Sequence, residues 1–144
     1  MNNCLVVDDN YDIFEVIEAG LAKQYHVDYA PDPFSAHQLL GHKRFDIMLC
    51  DIRMPHMDGL AFAEELKKKF INLPIVFISG AIDPETVRRA FQLGACNLIA
   101  KPLDMDELLL KMERAIVIRE SFQGEPDSSE QEVGHIYNLL KTHY

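Results

Sequence analysis

Four short apolar runs in this chain each end on a residue able to handle charge. Cys4-Leu5-Val6-Val7 ends on Asp8-Asp9, and Ile47-Met48-Leu49-Cys50 ends on Asp51. Ile75-Val76-Phe77-Ile78 ends on Ser79-Gly80, and Leu98-Ile99-Ala100 ends on Lys101-Pro102. Each has an ordinary explanation when taken singly. The acids cap helices, the serine makes a turn and the lysine is a solvated charge. Together they make a coherent set. Clustered carboxylates raise one another's pKa unless a cation is near. Oxygen-only ligands at a shallow edge suit Mg²⁺, which keeps several waters and takes one or two carboxylates plus phosphate oxygens. A carboxylate can attack a phosphoryl group to give an aspartyl phosphate. A metal ion, an ammonium and a hydroxyl would each stabilise charge on the transferring oxygens.

These side chains meet only if the runs are parallel strands of one sheet. The intervening segments carry helix signals. Asn10 precedes Ile13, Phe14, Val16, Ile17 and Leu21, which recur at helical spacing. Asp32-Pro33 and Asp83-Pro84 each supply a cap followed by a first-position proline. Gly41 and Gly94 are expected to close those two helices. Val27 to Ala30 reads as a further short strand. A helix is expected from about Gly59 to Phe70, with Phe62, Ala63, Leu66 and Phe70 inward. Asp104 and Glu107 form a variant capping box opening a helix to about Ser121, its apolar face carrying Leu108, Met112, Ala115 and Ile116. Alternating β and α elements with apolar strands imply an open, doubly wound parallel sheet covered on both faces. In such a sheet all strand C-termini share one edge, where ligands bind.

The composition excludes other classes. A formal net charge of −9 argues against direct nucleic-acid contact, which needs a basic footprint. Apolar runs are too short to cross a bilayer, and the N-terminus lacks the pattern of a signal peptide. Cys4, Cys50 and Cys96 form no C-x-x-C pair, and Cys4 and Cys50 read as small hydrophobes in strands; a reducing, cytoplasmic setting is expected. The histidines show no zinc-ligand spacing.

In this order, Asp8-Asp9, Asp51 followed by Met-Pro-x-Met-Asp-Gly, Ser79-Gly80, Gly94-Ala95 and Lys101-Pro102 resemble the receiver domains of two-component response regulators. The resemblance runs from Cys4 to about Arg119. It implies a flavodoxin-like (βα)5 fold with strand order 2-1-3-4-5. It also implies that Asp51 is the residue phosphorylated by a sensor histidine kinase or a phosphotransfer protein. Asp8, Asp9, Asp51 and the backbone carbonyl of Arg53 would hold Mg²⁺, Ser79 would swing toward the phosphoryl group, and Lys101 would pair with it. The Lys101–Pro102 peptide would be cis. The switched face would be that of the fourth helix, fifth strand and fifth helix, offered to a downstream effector or output domain. Where the family often has Tyr or Phe, this chain has Leu98. Switching is therefore expected to run through Ser79 and residues 80–83, with Leu98 giving apolar surface to a partner.

Rival readings are weaker. A phosphohydrolase with an aspartyl nucleophile of the haloacid-dehalogenase type needs a second Asp two residues on, and that position is Arg53. A degenerate receiver would not keep Asp9, Asp51, Ser79 and Lys101 together. A receiver belonging to a hybrid kinase or a longer output-domain regulator fits the same residues. Residues 1–122 are expected to form the receiver, 123–129 a polar linker, and 130–144 a short amphipathic helix opened by Ser129 and Glu132. Val133, Ile136, Tyr137 and Leu140 would form its stripe, buried in self-association as a homodimer or in the start of an output module.

Overall fold

The computed structural model describes residues 1–55, 58–69, 71–94 and 97–121. Strands and helices alternate: β1 (Asn2–Val7), α1 (Tyr11–Leu21), β2 (Tyr25–Ala30), α2 (Pro33–His42), β3 (Ile47–Asp51), α3 (Gly59–Lys68), β4 (Ile75–Ser79), α4 (Pro84–Gln92), β5 (Asn97–Ala100) and α5 (Met105–Ser121). The strands form one parallel sheet in the order β2-β1-β3-β4-β5. This is the flavodoxin-like arrangement the motifs implied.

The inner strands are apolar over Cys4–Val7, Ile47–Cys50 and Ile75–Ile78 because both of their faces are covered, whereas the edge strand β2 carries His26 and Asp28. Side chains alternate between two cores. Cys4, Val6, Ile47, Leu49, Val76, Ile78 and Ile99 face α1 and α5, where they meet Phe14, Ile17, Leu21, Leu108 and Met112. Leu5, Val7, Met48, Cys50, Phe77 and Leu98 face α2, α3 and α4, meeting Ala36, Phe62, Leu66 and Ala90. Fully burying each such large side chain stabilises the fold by roughly 1.5–3 kcal/mol.

Asp32 and Asp83 cap α2 and α4, their carboxylates accepting from the Ser35 and Thr86 amides, with proline following in each case. Asn10 and Asp104 do the same work at the starts of α1 and α5. Three details depart from expectation. Gly41 lies inside α2, whose C-cap is Lys43, so the glycine does not end that helix. Gly94, by contrast, adopts φ 73° just past α4, where a side chain would be strained. Val16 is 53% exposed, because the buried stripe of α1 is Phe14, Ile17 and Leu21 and Val16 lies off that face. Leu98 is only 6% exposed and packs in the α3–α4 core, so it does not offer apolar surface to a partner. α3 ends at Lys68, and the inward placement expected for Phe70 lies outside the described residues, as do the linker and tail helix expected at 123–144.

Candidate functional site

Strand register assembles the site. Val7 pairs with Cys50, so the next residues, Asp8 and Asp51, leave the sheet side by side. Ser79 pairs with Ala100, and the Lys101 amide donates to the Ser79 carbonyl at 2.9 Å. Lys101–Pro102 is a cis peptide bond, as expected. Carboxylate oxygens of Asp8, Asp9 and Asp51 all lie within 4.8 Å of one another. The Lys101 ammonium is 3.5 Å from Asp8 Oδ2 and 3.7 Å from Asp51 Oδ2.

Asp8 and Asp51 are buried, at 1% and 5% exposure, while Asp9 is open to solvent. Burial pushes the Asp51 carboxyl above its ordinary pKa, and the Asp8 charge adds to this against the pull of Lys101 and the Arg53 amide. Asp8 is raised by the same cause, opposed by the Asn10 amide at 2.8 Å and by Lys101. Among the described residues one ammonium faces the three carboxylates, which leaves the cluster under-neutralised. An oxygen-only donor set of this size and charge suits a hard divalent cation that keeps part of its water shell.

The remaining expected residues lie around this cluster. The Arg53 amide donates to Asp51 Oδ1 at 3.3 Å, which orients the carboxylate. Ser79 is fully buried, and its hydroxyl donates to the Ala81 carbonyl at 2.9 Å while accepting from the Ala81 amide at 3.1 Å. It is thus engaged with its own loop. Cys50, beside Asp51, has its thiol pushed up strongly by burial, which keeps it protonated and inert, in keeping with its reading as a small hydrophobe.

Two features of the site were not legible as such. Gly59 reads in the sequence as a turn residue. In the fold it lets the start of α3 pass against β3: its amide donates to the Ile52 carbonyl at 2.6 Å, and a Cβ there would collide with the Asp51 carbonyl oxygen and sit 3.0 Å from Cys50 Sγ. Beside the acids, Tyr11, Phe14 and Tyr29 form a ring cluster, with Phe14 and Tyr29 stacked at 4.6 Å. Burial raises the Tyr29 phenol, and the charges of Asp8 and Asp9 add to it.

An open doubly wound sheet with acids, a hydroxyl and a lysine at its strand C-termini defines a flavodoxin-like α/β domain with a charged edge site. The chain belongs to the response regulator receiver domain family, whose model matches residues 4–113. It is a receiver domain of the two-component response regulators, a signalling module. Its sequence is 32% identical over 143 residues to the DNA-binding transcriptional regulator NtrC of Proteus hauseri, covering 96% of this chain and 29% of that protein. It is 35% identical over 137 residues to the transcriptional regulatory protein ZraR of Salmonella typhimurium, covering 92% and 30%. The chain thus spans less than a third of the length of these regulators. Among solved structures, the non-phosphorylated receiver domain of HemR from Leptospira biflexa matches with a TM-score of 0.73 and 31% identity, over 81% of this chain and 94% of that one. A CheY-like receiver from Methanospirillum hungatei shares the fold at a TM-score of 0.78 and 24% identity.

Proposed function

We propose that Asp51 accepts a phosphoryl group from a sensor histidine kinase, a phosphotransfer protein or a small phosphoryl donor. The observation that carries this is the buried Asp51 carboxylate, held by the Arg53 amide with the Lys101 ammonium 3.7 Å away. An Asp51 oxygen forms the new bond to phosphorus, the bond from phosphorus to the donor breaks, and the leaving group keeps that electron pair. Asp8, Asp9, Asp51 and the Arg53 carbonyl would hold Mg²⁺, which when bound offsets the repulsion among the carboxylates and charge on the phosphoryl oxygens. Lys101 is near enough to turn from the Asp51 carboxylate to a phosphoryl oxygen. Ser79 would exchange its bond to the Ala81 carbonyl for one to the phosphoryl group, moving the loop 80–83 with it. That differential contact biases two states of the α4–β5–α5 face, which a downstream effector or output module reads. The modified Asp51 then loses its phosphate by hydrolysis at this same site, so the module acts once per switching cycle.

The relatives named as transcriptional regulators support an output of that kind. Among the described residues no helix is long and apolar enough to cross a membrane, and a cytoplasmic setting agrees with the protonated, buried thiols of Cys4 and Cys50. The proposed organisation is a receiver over residues 1–122, with a linker at 123–129 and a helix at 130–144 for self-association or output. Intact-mass spectrometry with acetyl phosphate and Mg²⁺ tests the chemistry. One phosphate is expected on the protein and none on Asp51→Asn. An unchanged adduct in that variant would place the acceptor elsewhere, and many turnovers of a phosphatase substrate would indicate a hydrolase.

A further inference from the structure

At the opposite end of the sheet, below the N-termini of the strands, lies a cleft of about 430 Å³. Its walls come from the loop after α2, the loop before β4 and the last turns of α5. Phe45 and Leu73 contribute apolar surface, and His42, Lys43, Arg44 and Arg119 line it with basic groups. No carboxylate is among its lining residues, although the chain carries a formal charge of −9. Lys43 is held in place by Asp28 at 2.9 Å and by the Phe45 ring, 5.6 Å from its nitrogen. Arg119 is held by the Asp46 carbonyl at 3.4 Å. His42 and Arg44 are exposed. The basic groups are therefore partly fixed around an apolar floor, in a region the phosphoryl chemistry does not use.

The chain itself carries an acidic segment shortly after Arg119, which lines this cleft. Arg119 stands two residues before the end of α5 at Ser121. The residues that follow lie outside those described, and their sequence contains Glu125, Asp127, Glu130 and Glu132 with no Lys or Arg before Lys141. The geometry points to the cleft as the docking site of the acidic stretch 125–132 of this same chain. From Ser121 to Glu125 an extended chain spans about 14 Å at ~3.5 Å per residue. A cleft of about 430 Å³ is roughly 8 Å across, so the first carboxylate reaches it without strain. Tethering holds the acidic stretch at a high effective concentration, so weak individual ion pairs suffice. The docked stretch would cover Phe45 and Leu73 and fix the direction in which the chain leaves the receiver.

The test uses the full chain labelled with ¹⁵N, and a variant with Glu125→Gln, Asp127→Asn, Glu130→Gln and Glu132→Gln. Screening shrinks from about 10 Å at 0.1 M salt to about 3 Å at 1 M. Raising salt over that range should move the amide resonances of Lys43, Arg44, Phe45 and Leu73 in the wild type. In the variant they should already sit at their high-salt positions. Arg44→Glu should reproduce the effect from the cleft side and speed exchange of the amides of 125–132. Groove resonances identical in wild type and variant at low salt overturn the proposal. Shifts that grow with protein concentration overturn it too, since they would place the stretch of a second copy in the cleft.

Discussion

Replacing Lys101 with Met keeps the length of the side chain and removes the ammonium that faces the acid cluster. At an effective dielectric near 20, a pair of unit charges about 3.5–3.7 Å apart is worth roughly 4–5 kcal/mol of gross attraction. Lys101 makes two such pairs, with Asp8 and Asp51. Breaking a buried pair typically costs about 3–5 kcal/mol. The Lys101 side chain is 24% exposed and Asp9 faces water, so solvent screens part of this. Proton uptake by the two buried carboxyls limits the rest. The expected loss is about 2–3 kcal/mol near pH 7.5 without divalent metal, or roughly 10 °C in Tm for a domain of this size.

The pH dependence has a definite sign. Asp8 and Asp51 already have raised pKa values in the fold, so the folded state holds protons that the unfolded chain, with carboxylates near 3.9, has released. Stability contributed by these groups is therefore present at low pH and is lost as pH rises through their folded values. Removing Lys101 takes away a lowering influence and raises both further. The deficit of Lys101→Met should be complete at neutral pH and shrink as pH falls through those raised values toward about 4. Urea denaturation of wild type and variant at several pH values, with and without Mg²⁺, measures this. Mg²⁺ should stabilise the variant more than the wild type, because it supplies the missing positive charge. A deficit independent of pH, or equal stabilisation of both proteins by Mg²⁺, would refute the electrostatic account.

Gly59→Ala should destabilise the fold by about 1–3 kcal/mol through overpacking against the Asp51 carbonyl, read as a lowered urea midpoint. It should also slow phosphorylation, because the strain falls on the peptide that carries the acceptor. Ala81→Glu should speed loss of phosphate from Asp51 about tenfold, the worth of one hydrogen bond to an attacking water, followed by intact mass over time. Ala81 itself has no group to orient water, and its backbone already holds Ser79 in the resting arrangement.

Much of this protein is written locally. The buried stretches Cys4–Val7, Ile47–Cys50 and Ile75–Ile78 are apolar runs because both faces of the inner strands are covered, and that pattern survives in one dimension. The prolines at 33 and 84 stand behind Asp32 and Asp83 because capping is an interaction within a single turn. Asp8, Asp9, Asp51, Ser79 and Lys101 were legible for the same reason: a parallel sheet sends every strand end to one edge. What the sequence left open depends on contacts between distant segments. Leu98 looks like any strand leucine, and only the packing of α4 against the sheet decides that it is covered. Gly41 and Gly94 look alike beside their helices, yet only the second takes a left-handed conformation. The basic cleft around Arg119 arises from residues far apart in sequence, and the closeness of Gly59 to Asp51 from the way the chain after β3 folds back against it. Periodicity records which face of an element is buried, and it carries no record of what lies across from that face.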